Sequence, residues 1–456
     1  MSDDDGLRAS IEKMRAEGLG QVAIDTFAHY YEQLREGESG MLPESEIEPV
    51  DELPALDDLP AGDASLLDAA VAIKLNGGLG TSMGMTRAKS LIEAKDGKTF
   101  LDLIVGQVVG LRERFGARVP LVLMNSFATR EDSLAALAAH PELTSDVPAD
   151  FVQNKVPKIR ADDLRPVSWP DDPALEWAPP GHGDLYTALV TSGMLDELTS
   201  HGYRWAFVSN SDNLGAVLDP RILSWIASEE VPFLMEVARR TEADRKGGHL
   251  ARRRDGGELL LRETAQTPEE DLAALQDVAR HRFVNTNNLW IDLRALADTL
   301  ERRGGVLGLP MIVNRKTVDP ADPESPAVIQ LETAMGAAIG VFEGARALHV
   351  PRRRFAPVKT TNDLLALRSD AYVLHDDCRV ELAPEREAPP FIDLDPEHYK
   401  LIDDFEAHFP AGAPSLVACE RLEVVGDVVF GRDVVVRGAV SIEGPARIED
   451  GAELAG

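Results

Sequence analysis

Apolar positions change their spacing along the chain. From Leu7 to Leu34 they recur at helical intervals, which predicts one or two amphipathic helices, and Glu36 to Pro60 is rich in acid and proline and reads as an extended connector. From residue 71 to about 365, short apolar runs alternate with helical stretches. Ala72–Leu75 reads as a strand entering a glycine-rich loop, Phe100–Phe115 as a helix, and Pro120–Met124 as a buried strand ending at Asn125 and Ser126. Leu185–Leu198 reads as a helix, and Trp205–Val208 as a strand ending in Ser209-Asn210-Ser211-Asp212-Asn213. This alternation predicts an α/β, Rossmann-like fold with a mixed, mostly parallel sheet and helices on both faces. In such folds ligands gather at the carboxyl ends of strands, where these polar loops fall.

The last segment has a period of six. Val424, Phe430, Val436, Ile442, Ile448 and Leu454 form one series, and Leu422, Val428, Val434, Val440, Ala446 and Ala452 a second in phase with it. Two registers held together predict a parallel β-helix of hexapeptide turns rather than a meander. Only about two coils fit, so an open end is expected to be covered by a second subunit, a homo-oligomer through the β-helix. The expected domains are 1–70 (acidic helical segment and connector), 71–370 (catalytic) and 371–456 (C-terminal, ending in the β-helix).

Charge narrows the function class. The 456 residues carry 78 acidic and 47 basic side chains, a net −31. Such a chain lacks the cationic face that nucleic acid or an acidic membrane surface demands. Residues 1–70 hold 18 acidic and 4 basic residues, so 14 of the 31 excess negative charges lie there. Two cysteines, Cys378 and Cys419, make no disulfide framework and no zinc pattern. The start, Met1 to Gly6, has no secretory pattern and no run approaches a membrane span, so a cytoplasmic location is expected. Only 11 of the 47 basic residues are lysine, and Lys74, Lys89, Lys155, Lys158, Lys246, Lys316 and Lys359 fall in the middle region near glycines, prolines or amides.

The loop Leu75-Asn76-Gly77-Gly78-Leu79-Gly80-Thr81-Ser82-Met83-Gly84 follows a strand, and its glycines allow backbone N–H groups close to a phosphate or a flat base. A dinucleotide fold expects an acid about 20 residues on, at the tip of the second strand, and here that strand ends in Asn125 and Ser126. A Walker loop expects glycine beside the lysine, and Gly84 lies five residues before Lys89. A nucleotide loop with a following lysine, Lys89, remains. Asp212 among amides and hydroxyls suits either an Mg²⁺ anchor or a helix N-cap. His182, in Pro180-Gly181-His182-Gly183-Asp184, suits either a donor to a sugar hydroxyl or phosphate or a solvated loop residue. Lys359 suits either a transition-state cation or a surface lysine.

Eleven segments in order together resemble the UDP-glucose pyrophosphorylase (UTP–glucose-1-phosphate uridylyltransferase) family. They are LNGGLGTSMG at 75–84, Lys89-Ser90, QNKVPKI at 153–159, WAPPGHGDLY at 177–186, NSDNLGA at 210–216, KGG at 246–248, AQTP at 265–268, NTNNLW at 285–290, NRKTVD at 314–319, QLETAMGAAI at 330–339 and VPRRRFAPVKTTNDLL at 350–365. The resemblance implies a nucleotidyltransferase domain and a left-handed hand for the β-helix. It implies that Leu75, Asn76, Gly77 and Gly78 line the nucleotide, that Gln153 and Gly181 read the uracil, and that Lys89 contacts phosphates. Asp212 looks like the metal aspartate and Lys359 the catalytic lysine. Asn210, Ser211, His182, Asn287 and Asn288 look like sugar-side contacts, with Lys246 and Lys316 as supporting cations. Where the family has Gly-Pro-Lys-Ser, this chain has Arg87-Ala88-Lys89-Ser90, which adds a cation at Arg87. The implied chemistry is in-line attack of a glucose-1-phosphate oxygen on the α-phosphorus of UTP, with Mg²⁺ and the lysines neutralising charge and no protein nucleophile. Two alternatives are another sugar-1-phosphate (N-acetylglucosamine or galactose) and a non-catalytic nucleotide-sensing scaffold.

Overall fold

The helical spacing at the start resolves into two helices, Asp5–Ala16 and Gln21–Arg35, in a computed structural model that describes residues 5–456. Met1–Asp4, on which the expected lack of a leader partly rests, lie outside the described residues. The apolar stripe of the helix pair, including Leu7, Met14, Ile24 and Phe27, is buried against Val156, Ile159, Ile329 and Leu331. Ile159, Ile329 and Leu331 belong to a small sheet of Ile159–Arg160, Ala327–Thr333 and Met311–Thr317, and Val156 to a neighbouring strand pair with Trp177–Ala178. The connector is not all extended linker. Ile47–Pro49 pairs antiparallel with Ala251–Arg253 and becomes the edge of the central sheet.

Among the described residues ten strands form that mixed sheet. Ala70–Asn76, Leu121–Asn125, Asp150–Val152 and Trp205–Asn210 run parallel, and they carry the polar loops at their carboxyl ends. Phe283–Asp292 joins this half antiparallel to Trp205–Asn210 and leads to the antiparallel strands Phe233–Arg239 and His249–Arg253. Strand residues alternate between two cores. Ala70, Ala72, Leu121, Leu123 and Phe207 belong to one, and Val71, Ile73, Val122, Met124 and Val208 to the other. Burial on both faces explains the unbroken apolar runs in the sequence. Helix Phe100–Phe115 keeps its expected bounds, with Thr99 and Asp102 forming a capping box and Gly116 ending it in the left-handed region. The helix expected over 185–198 breaks at Gly193, whose φ is +76°, into Leu185–Thr191 and Met194–Ser200.

The period of six becomes a parallel ladder. Leu422 faces Val440, Val424 faces Ile442, Phe430 faces Ile448 and Val436 faces Leu454, an offset of 440 − 422 = 18 residues, or three six-residue steps. The inward positions Leu422, Val424, Val428, Phe430, Val434 and Val436 of the first coil are buried, whereas Val440, Ile442, Ile448 and Leu454 in the last are half-buried, and among the described residues no further coil stacks on them. Tyr399, Phe405, Phe409 and Leu422 share one core with Phe100, Leu103 and Leu364, so the C-terminal segment is seated directly on the α/β region. Among the described residues no helix is long and apolar enough to cross a membrane.

Candidate functional site

The glycine loop leaves the carboxyl end of Ala70–Asn76 and folds back on itself. Leu79 bridges Ala88, and the Lys89 N–H donates to the Gly78 carbonyl at 3.1 Å. A β-carbon on Gly77 would lie 2.7 Å from Gln153 Oε1, while Gly78 faces open space. The Gln153 N–H donates to the Asn125 carbonyl at 2.8 Å, which holds that side chain over the bare backbone of the loop. A primary amide facing glycine backbone makes a slot for a flat ring with mixed donors and acceptors. Asn76 is turned away from it. Its amide donates to Asn125 Oδ1 (2.8 Å) and Ser133 Oγ (2.7 Å) and ties two strand ends together, so only its backbone adjoins the slot.

Asp212 lies just past strand Trp205–Asn210, and the Ser211 N–H donates to the Leu75 carbonyl of the neighbouring strand. Lys89 Nζ meets Asp212 Oδ2 at 2.7 Å, across 123 residues of sequence. Asp212 Oδ1 is buried and has no hydrogen-bond partner. An orphaned carboxylate oxygen beside a phosphate-type lysine fits a divalent cation shared with substrate phosphates. Among the described residues no cluster of three acidic, His or Cys side chains offers a complete protein cage. The Asp212 carbonyl accepts from the Val358 N–H (3.1 Å), and Asn213 bridges Pro357, which brings the Lys359 backbone alongside. The Lys359 and Thr360 N–H groups donate to Asp363 in a capping box at helix Thr361–Arg368, leaving the Lys359 side chain exposed.

A buried polar network supports this loop from behind. Arg354 Nε and Nη2 grip both oxygens of Glu236 at 2.8 and 2.7 Å, and Trp290 Nε1 and Asn288 Nδ2 donate to the same carboxylate. Asn288 Oδ1 accepts from Asn213, so the Asn288 side chain is spent inside the network and does not face the open site. Lys74 Nζ donates to Ser209 Oγ and the Ala216 carbonyl, spanning both ends of the Asp212 loop, and burial lowers its pKa to about 7.

Gly181 opens the opposite wall. Its φ is +78° and a β-carbon would collide with the Thr333 carbonyl, so only glycine fits. The Met335 N–H donates to His182 Nδ1 at 3.0 Å, which places the proton of the neutral ring on Nε2 as a free donor. Burial depresses the His182 pKa to about 4. Between pH about 6.5 and 4 the unfolded chain takes up this proton and the folded chain does not, so its contribution to stability is complete above 6.5 and is lost as pH falls. The expected NMR result is a flat His182 ring shift from pH 5.5 to 8; a midpoint near 6.5 would refute the neutral donor.

Other residues of this wall divide clearly. Asn287 sits on a bulge where the register passes from Glu236–Asn288 to Val237–Asn285, has φ +58°, and is held by Asn285 Nδ2 at 2.8 Å. Asn210 ends strand Trp205–Asn210 and Ser211 opens the Asp212 turn. Lys246 is exposed beside Gly247 and Gly248. Lys316 stands on the hairpin Met311–Thr317, 3.8 Å from Glu332, at the outer edge. Two carboxylates escaped the sequence reading. Asp184 accepts from the Asn154 N–H (2.6 Å) and Nδ2 (2.9 Å) and so anchors the segment carrying Gln153, while burial raises its pKa to about 7. Its place in Gly181-His182-Gly183-Asp184 was the available signal. Glu263 lies against Gly248, and burial raises its pKa against the pull of nearby Lys359.

The sequence profile described as UTP–glucose-1-phosphate uridylyltransferase matches residues 24–437. The chain is 41% identical to the Solanum tuberosum protein of that name over 397 residues, covering 86% of this chain and 81% of that one. With the Hordeum vulgare protein the identity is 42%, covering 86% and 81%. Among solved structures, a UDP-glucose pyrophosphorylase mutant from Leishmania major in complex with UDP-glucose superposes with a TM-score of 0.94 at 48% identity, covering 99% of this chain and 98% of that one. The Trypanosoma brucei UDP-glucose phosphorylase gives 0.92 at 48% identity, covering 99% and 98%.

Proposed function

The chain belongs to the UTP–glucose-1-phosphate uridylyltransferase family, and on that premise we infer that it transfers the uridylyl group of UTP to glucose-1-phosphate, releasing pyrophosphate. The observation that carries this to the site is the Lys89–Asp212 pair at 2.7 Å beside the slot between Gly77 and Gln153. Gln153, held by Asn125 and flanked by the Asp184–Asn154 anchor, reads the uracil edge, and Gly77 and Gly78 bear on its face. His182 Nε2–H and the Asn287 amide serve the sugar side, with Asn210, Ser211 and Glu263 closing the wall. Lys246 and Lys316 act as outlying cations. Lys89 pairs with Asp212 and Lys359 follows the segment bonded to the Asp212 carbonyl, so both can bring charge to the phosphates as one phosphate oxygen approaches the α-phosphorus and pyrophosphate departs. Asp212 would hold Mg²⁺, which when bound supplies further neutralisation of the phosphates. No side chain has to act as nucleophile.

The deciding experiment is pyrophosphate release from UTP with glucose-1-phosphate, galactose-1-phosphate and N-acetylglucosamine-1-phosphate, with and without chelator. Preference for glucose-1-phosphate that vanishes with chelation is expected. Preference for another sugar would move the substrate, and UTP binding without turnover would indicate the scaffold.

The 18-residue ladder supports a left-handed β-helix whose half-buried last coil pairs with a second copy of the chain. Leu454→Arg, at that open end, is expected to shift elution on sizing to a smaller species without loss of folding, since Leu454 is half-buried on the last coil, paired with Val436 in the ladder. An unchanged elution volume would refute assembly through this end.

A further inference from the structure

One carboxylate of the acidic N-terminal segment enters a buried charged cluster behind the catalytic wall. The Glu44 carboxylate accepts from Arg262 Nη1 (2.5 Å) and Arg280 Nε (2.7 Å) and lies 3.0 Å from His281 Nε2. The Glu44 N–H donates to Asp271 Oδ2 at 2.6 Å, and Asp271 also meets Arg262. Arg262, His249 and His281 are fully buried, with the two imidazoles stacked 3.8 Å apart. The flanks are stitched down as well. The Leu42 N–H donates to the Gln266 carbonyl, and the Arg254 guanidinium donates to the carbonyls of Ser45 and Ile47.

His249 and Arg262 stand opposite each other in an antiparallel hairpin. The next residues, Gly248 and Glu263, therefore meet at its end, where a β-carbon on Gly248 would collide with the Glu263 carboxylate. Successive side chains of extended backbone leave on opposite faces. Arg262, bound to Glu44, and His249, stacked on His281, thus back the pair that lies near Lys359 and Lys246, and Thr264 Oγ1 secures the Lys246 carbonyl at 2.7 Å.

We propose that Glu44 is a positioning residue for the sugar-side wall: by neutralising and orienting Arg262 it sets the Gly248–Glu263 pair and with it the seat of the sugar ring. Glu44 touches no substrate, and the proposal rests on Gly248–Glu263 facing the sugar. The bland alternative is stability alone, because an Arg buried without its carboxylate is costly wherever it sits.

The test is steady-state kinetics on the full chain for Glu44→Ala, Glu44→Gln and Glu263→Gln. Glu44→Ala is expected to raise KM for glucose-1-phosphate about tenfold and leave KM for UTP within about twofold, the scale of a small misplacement. Glu44→Gln, which keeps an acceptor for Arg262, is expected to raise it only about threefold. The ratio of kcat/KM for glucose-1-phosphate over galactose-1-phosphate does not depend on the folded fraction and is expected to fall in parallel. If Glu44→Ala does not accumulate as folded protein, Glu44→Gln carries the same test. An unchanged sugar KM and ratio in the Glu44 variants, alongside a raised sugar KM in Glu263→Gln, overturns the positioning role alone. An unchanged sugar KM in Glu263→Gln removes the wall assignment and the proposal with it.

Discussion

Asp212→Ala is expected to lower kcat by a factor of about 10² to 10³, with the thermal midpoint little changed. The residue is stitched in place through its backbone, since its carbonyl holds Val358 and Asn213 bridges Pro357, so the side chain can be removed without dismantling the turn. What is lost is electrostatic. Lys89 Nζ loses the carboxylate at 2.7 Å that aims it, and the unpartnered Oδ1 is lost as an acceptor for a cation. Lys359→Ala is expected to fall in the same range, because Lys359 follows the segment bound to Asp212 and brings charge to the same phosphates. Both are measured as pyrophosphate release at saturating Mg²⁺ with folding checked by circular dichroism. A loss of only a few-fold in either folded variant would refute its assigned role.

Arg354→Met is expected to have the largest effect on stability, about 3–5 kcal/mol, the usual cost of stranding one partner of a buried pair. Glu236 is completely buried and its two oxygens accept from Arg354, Trp290 and Asn288. Without the guanidinium, a carboxylate remains in the core with neutral donors only. The Arg354 carbonyl also accepts from Asn213 and Asn288, so loosening this segment slackens the Asp212 turn and activity falls with stability. Glu236→Gln combined with Arg354→Met keeps one acceptor oxygen, removes the stranded charge, and is expected to recover most of the loss. Denaturant midpoints for the two single variants and the double variant measure the coupling. A single-variant loss below about 1 kcal/mol would show that the pair is not a support of the site.

The elements were legible because their signals are local. The 3.6 spacing of Phe100–Phe115, the doubly buried run at Ala70–Asn76 and the six-residue period after Leu422 each depend on neighbours within a turn or a strand. The glycine loop with its following lysine was legible for the same reason. Exceptions arose where a local signal lacked a partner. Ile47–Pro49 carries too few residues to announce a strand and exists because Ala251–Arg253 offers it an edge. Gly193 was absorbed into a helical pattern that its positive φ interrupts.

Among the candidate site residues, the order of amino acids settles which chemical groups are present, and the folded chain settles which of them face one another. Asn76, Asn287 and Asn288 are the same side chain in similar polar strings. Strand parity and one bulge send the first and last into buried networks and hold the middle one, at positive φ, beside Asn285. Asp212 chooses Lys89 across 123 residues, Arg354 chooses Glu236 across 118, and Glu44 chooses Arg262 across 218. Periodicity falls off within a turn or a strand, whereas a buried charge is stable only beside a partner that the fold brings from anywhere in the chain, so the first can be read along the sequence and the second only in space.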